Sequence, residues 1–116
     1  MAKGLYKVSV IIPIYKVESF IVRCATSLME QTLSGVEYIF VNDATPDNSI
    51  ILLSEVLKKY PERKGDVQII SHEKNKGLPA ARNTGLVIAR GEYIFHCDSD
   101  DFVDSDMLEQ LYYKAK

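Results

Sequence analysis

At 116 residues, with 47% hydrophobic and 26% charged residues, the chain has the composition of one soluble globular domain, spanning 1–116 and able to bury a core. A formal net charge of -2 argues against general attraction to nucleic acid or to an anionic membrane, and no segment reaches the ~18 consecutive apolar residues of a membrane span. Met1-Ala2-Lys3-Gly4 lacks the apolar core of a signal peptide, and Cys24 and Cys97 have neither metal-type nor redox-type spacing, so both are expected to be buried thiols in a cytosolic setting.

In chain order, Lys7-Val8-Ser9-Val10-Ile11-Ile12-Pro13 is almost wholly apolar and β-branched after Lys7, as in a parallel strand buried on both faces, and Pro13 is expected to end it. From Val17 to Leu33 the period changes: Val17, Ile21, Cys24 and Leu28 share one helical stripe, with Ser34-Gly35 as the stop. Val36 to Val41 reads as a second strand. Thr45, Pro46 and Asp47 then predict a helix start, with Thr45 as cap, and the helix is expected to bury Ile50, Leu53, Leu57 and Tyr60 and to end at Tyr60. Pro61 to Asp66 reads as a charged loop and Val67 to Ser71 as a third strand. Gly77 suits a positive-φ position, and Leu78-Pro79 opens a third helix. Its buried side includes Ala81, Gly85, Ile88 and Ala89, where Gly85 points to a close approach of helix to sheet. Gly91 stands as the helix-terminating glycine before a short strand, Tyr93 to Phe95.

That last strand runs into Asp98, Asp100, Asp101, Asp104 and Asp106, five carboxylates within nine residues. Like charges so close are unfavourable unless a cation or water separates them, and Mg²⁺ or Mn²⁺ is the usual cation for carboxylates that share a phosphate-bearing substrate. Asp98 and Asp100 fit either a metal site or a solvated loop, whereas Asp104 and Asp106 read better as a solvated cap of the next helix. The β-α-β-α-β-α-β alternation predicts a mostly parallel sheet covered on both faces, a Rossmann-like three-layer α/β/α arrangement with right-handed crossovers. Ligands in such sheets bind at the carboxyl ends of strands near the switch in strand order. Three polar strand ends should therefore meet in one crevice: Pro13-Ile14-Tyr15, Asn42-Asp43 and Asp98-Ser99-Asp100. Tyr15 reads equally as a stacking platform or an ordinary half-buried tyrosine, and Asp43 as a turn residue or an acceptor for a base or ribose. Arg82 suits a clamp on phosphate or on a strand-end carboxylate. His72 and His96 have no partner spacing and read as structural. No phosphate-loop or dinucleotide-loop glycine motif is present.

In order and spacing, the segments Val8-Ser9-Val10-Ile11-Ile12-Pro13-Ile14-Tyr15, Val41-Asn42-Asp43, Asn75-Lys76-Gly77 with Ala81-Arg82-Asn83-Thr84-Gly85, and Gly91-Glu92-Tyr93-Ile94 leading into Asp98-Ser99-Asp100-Asp101 resemble the family-two glycosyltransferases of the GT-A fold, from Val8 to about Leu111. The resemblance implies a nucleotide-sugar donor, usually UDP-linked. Pro13, Ile14, Tyr15 and Glu18 with Asp43, Gly77, Arg82, Asp98 and Ser99 would hold the donor. Asp98-Ser99-Asp100 would be the DXD motif for Mn²⁺ or Mg²⁺. Asp100 would be the main metal ligand, with Asp98 touching ribose or sugar or binding through water.

The same resemblance implies an acceptor hydroxyl, on a glycan or lipid-linked saccharide, attacking the anomeric carbon with inversion, aided by a carboxylate base. Three positions depart from the family pattern: Lys16 stands where Asn is frequent, Asn42 replaces the first of two acids, and Ala44-Thr45 replaces Gly-Ser. In the family the acceptor half and the base follow the acidic helix. The chain is therefore expected to be a GT-A donor-binding part, peripheral to the inner membrane face in a longer protein, with no catalytic base of its own. An apolar surface left open would favour a homodimer. These residues alone are expected to transfer no sugar; acceptor-dependent turnover would make Asp101 and Asp104 the first candidates for an overlooked base. A noncatalytic nucleotide-sugar-binding module is the alternative. A nucleotidyltransferase of related fold would carry a glycine-rich, basic loop after the first strand, which Tyr15 to Phe20 does not supply.

Overall fold

The β-branched run after Lys7 forms the innermost strand of a four-stranded, wholly parallel sheet. The computed structural model describes residues 6–116, so the Met1–Gly4 stretch considered for a leader lies outside the described residues. The strands are β1 (Tyr6–Ile14), β2 (Val36–Asn42), β3 (Val67–Ser71) and β4 (Gly91–His96), in the order β3-β2-β1-β4. The helices are α1 (Ile21–Met29), α2 (Ser49–Leu57), α3 (Leu78–Ile88) and α4 (Met107–Ala115). After β1 the chain builds outward through β2 and β3, then returns to place β4 on the other side of β1. This reversal puts the ends of β1 and β4 side by side, as predicted.

The alternation of β1 separates two apolar layers. Val8, Val10, Ile12 and Ile14 pack in the larger core with Ile21, Cys24 and Leu28 of α1, Leu53 and Val56 of α2, and Leu108 and Tyr112 of α4. On the opposite face Ile39, Val41 and Ala81 form a smaller core under α3. Helices therefore cover both faces, giving the three-layer α/β/α arrangement. Each fully buried branched aliphatic side chain contributes about 1.5–3 kcal/mol relative to exposure.

Several boundaries differ from expectation, each for a local reason. β1 continues through Pro13, which pairs with Val41, to Ile14. The backbone groups of Ile11 and Pro13 face the β4 side of the ladder, and there the last bond runs from Cys97 N to Ile11 O, so the N–H that Pro13 lacks is not needed. α1 is shorter than Val17–Leu33 because Gln31 leaves the helix: Nε2 donates to the carbonyls of Ser27 and Asp104, and Oε1 accepts from Leu108 N. α2 begins at Ser49 with Asn48, not Thr45, in the cap position; Ser49 N bonds Asp47 Oδ1, and the Thr45 hydroxyl bonds Lys16 N and Asp47. It ends at Leu57 rather than Tyr60, and Pro61–Asp66 forms a 3-10 turn where a loop was expected.

Gly91 opens β4 instead of terminating α3 in a left-handed turn; a Cβ there would lie 2.5 Å from Ser9 N. Gly85 serves the expected close approach, since a Cβ would fall 2.6 Å from Ile11 Cγ2. Gly85→Ala should therefore destabilise the protein by about 1–3 kcal/mol through overpacking, against the ~1 kcal/mol that helix propensity alone would gain. Denaturant unfolding decides the sign, and a stabilised variant would mean that α3 is free to shift away from β1.

Candidate functional site

The polar strand ends do converge. Pro13, Tyr15, Val17, Asp43, Asn75, Gly77, Leu78, Ala81, Asp98, Ser99 and Asp100 line one crevice of about 490 Å³. It opens at the carboxyl ends of β1 and β4, where the strand order switches. A larger cavity of about 580 Å³ lies between α2, the 3-10 turn and β3, but no carboxylate lines it and it is away from the switch point. The polar strand ends and their carboxylates line the smaller crevice.

Seven of the expected site residues line it: Pro13, Tyr15, Asp43, Gly77, Asp98, Ser99 and Asp100. Ile14 does not; it is fully buried, and its carbonyl accepts from Asp43 N at 3.0 Å. Glu18 lies with Lys16, Ser19, Pro46 and Asp47 around a separate shallow hollow. Arg82 stands beside the crevice, with Nη2 3.3 Å from Asp98 Oδ1, the carboxylate clamp its position suggested. Its Nε is buried without a partner among the described residues. Val17, Asn75, Leu78 and Ala81 line it as well; Asn75 and Ala81 lie in segments that carry the resemblance, but none of the four was expected at the site.

The rim is held by side chains reaching between loops. Beyond β1, Lys16 N donates to Thr45 Oγ1 (2.8 Å), Val17 N to Ser49 Oγ (3.1 Å) and Glu18 N to Asp47 Oδ2 (3.3 Å). Asp47 Oδ1 accepts from Thr45 Oγ1, Ser49 Oγ and Ser49 N in turn. Lys16 and Ala44 both have left-handed backbones, φ 54° and 56°. These are two positions where the sequence departs from the Asn and Gly of the pattern it resembles, residues that suit this conformation better.

Asp43 is buried, and its carboxylate accepts from His72 Nδ1 (2.8 Å), Lys76 N (2.9 Å) and Gly77 N (2.9 Å). Gly77 adopts φ 95°, the positive value expected. Burial opposes ionisation of Asp43, yet the His72 side chain and the two backbone N–H groups outweigh it and hold the carboxyl below its ordinary value.

The acidic loop is different in kind. Asp98, Asp100 and Asp101 are exposed, and one oxygen from each lies within 4.8 Å of the others. Asp98, Asp100 and Asp101 together offer the hard oxygen donors that could hold Mg²⁺ or Mn²⁺. Asp101 joins a group read from sequence as Asp98 and Asp100 alone. The loop is anchored from behind: Val103 N donates to Ser27 Oγ, Thr32 N to Ser105 O, and the Cys24 and Cys97 thiols lie against the Asp98 carbonyl. Both cysteines are buried and free. Asp104 and Asp106 are exposed; Asp106 holds Gln110 Nε2 but makes no side-chain cap to α4.

Residues 9–116 match the family described as glycosyl transferase family 2. The chain belongs to this family. It is 47% identical over 109 residues to the glycosyltransferase EpsJ of Bacillus subtilis, covering 94% of this chain and 30% of that protein. It is 39% identical over 113 residues to the poly(ribitol-phosphate) beta-glucosyltransferase of Bacillus spizizenii, covering 95% of this chain and 17% of that protein. Among solved structures, S. aureus TarS 1-349 in complex with UDP-GlcNAc superposes with a TM-score of 0.79 at 30% identity, over 92% of this chain and 30% of that one. The mannosyltransferase PcManGT of Pyrobaculum calidifontis, in complex with GDP-Man and Mn²⁺, reaches a TM-score of 0.84 at 23% identity, a likeness of fold. The chain spans about a third or less of the length of these relatives. The neighbours carry the GT-A fold, so this family-two chain is of GT-A type. No helix among the described residues is long and apolar enough to cross a membrane.

Asp47 offers a test of the rim. Burial works against its ionisation, but the Ser49 and Thr45 hydroxyls and the N–H groups of Ser49 and Glu18 hold its carboxyl at about 2, against an ordinary 3.8. With the folded value the lower, the ionised form contributes stability that is complete above the ordinary value and is lost as pH falls through it toward about 2. Asp47→Asn should cost about 1 kcal/mol at neutral pH and flatten the decline in urea midpoint below about pH 4. A variant with the wild-type acid slope would show that other carboxylates govern that decline.

Proposed function

We propose that this chain is the donor-binding part of an inverting glycosyltransferase that takes a sugar from a nucleoside diphosphate, UDP by preference, to an acceptor hydroxyl. One observation carries the reading: a buried carboxylate, Asp43, and two exposed ones, Asp98 and Asp100, line one crevice at the sheet's switch point, with Asp101 close to the exposed pair. The buried one suits a base or ribose donor and the exposed pair suits phosphate with a cation. That TarS binds UDP and UDP-GlcNAc supports a uridine-linked donor.

In this reading Pro13, Tyr15 and Val17 form one wall for the nucleoside, and Asp43 accepts a hydrogen bond from it. Gly77 and Leu78 close the other side. Asp100, with Asp98 and Asp101, would hold Mn²⁺ or Mg²⁺, which when bound supplies Lewis-acid neutralisation of charge on the departing diphosphate. Arg82, beside the crevice, holds Asp98 in place. Glu18, on the neighbouring hollow, is kept as a donor contact at the outer edge. The acceptor, a glycan or lipid-linked saccharide, and the base that takes its proton would be supplied by sequence like that in the longer relatives. An exposed apolar strip at the β4 edge, including Ile94 and Leu111 around a cleft of about 210 Å³, supports association there with further chain or with a second copy. The setting is cytoplasmic, at the inner face of the membrane.

Two substitutions separate the halves of the crevice. Asp100→Asn should abolish the gain in UDP affinity that Mn²⁺ confers and leave uridine unaffected. Asp43→Asn should weaken uridine and UDP alike by about 1.5–3 kcal/mol, with or without Mn²⁺. Calorimetric titration of uridine, UDP and UDP with Mn²⁺ provides the readout, and Asp100→Asn retaining the metal effect would refute the assignment.

A further inference from the structure

Asp43 does not stand alone in the crevice. Oδ1 accepts from His72 Nδ1 and Lys76 N, and Oδ2 accepts from Gly77 N. A carboxylate offers about four lone-pair positions. Three are occupied from within the chain, so one is left, and by this count it belongs to Oδ2.

The His72 ring is fixed at both nitrogens. Nδ1 faces an ionised carboxylate, which only accepts, so Nδ1 must carry the proton. Nε2 lies 2.7 Å from Thr84 Oγ1, and Thr84, on α3, is itself tied to the Ala80 carbonyl at 3.0 Å. The His72 side chain is 7% exposed and lines no part of the crevice. It spans from α3 to the carboxylate without reaching a ligand. Glu73, Lys74 and Lys76 lie on the adjoining 73–77 loop, whose hydrogen bonds to the Asp43 carboxylate come from the backbone N–H groups of Lys76 and Gly77.

We propose that His72 is a positioning residue of the nucleobase site. By donating from Nδ1 it occupies Asp43 Oδ1 and leaves one acceptor position, on Oδ2, for a single N–H of the base. The inference rests on the reading of the crevice as a nucleotide site. A pyrimidine imide, with one ring N–H between two carbonyls, matches a lone acceptor. A ring nitrogen that is bare or methylated would face it with a lone pair or a clash. Without His72 the carboxylate regains a second open position and loses its fixed rotation, so discrimination between bases falls along with affinity.

The test compares UDP with its N3-methyl derivative by calorimetry on the wild type, His72→Phe and His72→Asn. The Asn amide can place an N–H where Nδ1 now lies; Phe fills the volume with no donor. The wild type should prefer UDP by about tenfold or more. His72→Phe should bring that ratio several-fold closer to one, and His72→Asn should restore most of it. Simple loosening of the fold would weaken both ligands together and leave the ratio alone. A wild-type ratio in His72→Phe overturns the proposal, as does a ¹⁵N spectrum of the wild type in which Nδ1 carries no proton. The spectrum decides the matter even where the Phe variant does not fold. A wild type that binds neither ligand removes the nucleotide reading itself, whereas binding with an unmoved ratio removes only the role of His72.

Discussion

The site depends on the burial of one carboxylate that the fold itself almost saturates. Asp43 directly follows β2, and its three internal hydrogen bonds draw in the residue after β3 and two consecutive residues of the loop before α3. Asn75 adds a bond to the Asp43 carbonyl at 3.4 Å. A buried charge is tolerable only when it is so partnered. That requirement shapes the 73–77 loop, since Gly77 must turn to φ 95° to aim its N–H at Oδ2. One wall of the crevice follows from it.

A second buried carboxylate performs the corresponding task at the far end of the sheet. Glu37, 1% exposed, accepts from Ser9 Oγ, from Arg90 N and from the Arg90 guanidinium, and Ser9 Oγ accepts in turn from Gly91 N. This joins β2 to β1 and to the start of β4, across the sheet's reversal. The two acids thus fasten the starts of β1, β2 and β4 and the end of β2. The difference in their roles is access. Glu37 is closed in by strands, whereas Asp43 lines an open crevice and retains one acceptor position.

The fold was legible because burial on two faces leaves an unmistakable trace in composition, and strands such as Val8–Ile12 can be read from it. Glycines were read less evenly. Gly85 and Gly77 occupy the environments their neighbours implied, but Gly91, which follows α3 like a helix stop, is small because Ser9 passes against it. What the sequence could not reveal is which polar groups partner one another across tens of residues. His72 lacks a neighbour at any metal or catalytic spacing, yet its two partners lie 29 and 12 positions away. Thr45 and Asp47 have the local signature of a helix start; Asp47 does accept from Ser49 N at the start of α2, but both side chains also hold the loop after β1. Local rules describe what a residue can do with its neighbours, and here a tertiary acceptor or donor won.

A related distinction separates acids that the fold partners from acids that it leaves exposed. Asp43, Asp47 and Glu37 each accept several hydrogen bonds from the chain, and for Asp43 and Asp47 these overcome desolvation and favour the ionised form. Asp98 meets only Arg82, and Asp100 and Asp101 have no side-chain hydrogen-bond partner among the described residues, although the three stand close enough for their charges to repel. Repulsion that the fold leaves uncompensated is relieved by an external cation or by water. The chain does invest in the position of this loop, through Ser27, Gln31 and Thr32 behind it. A loop held by its backbone while Asp100 and Asp101 stay without a side-chain partner leaves their acceptor capacity open to solvent or to a cation.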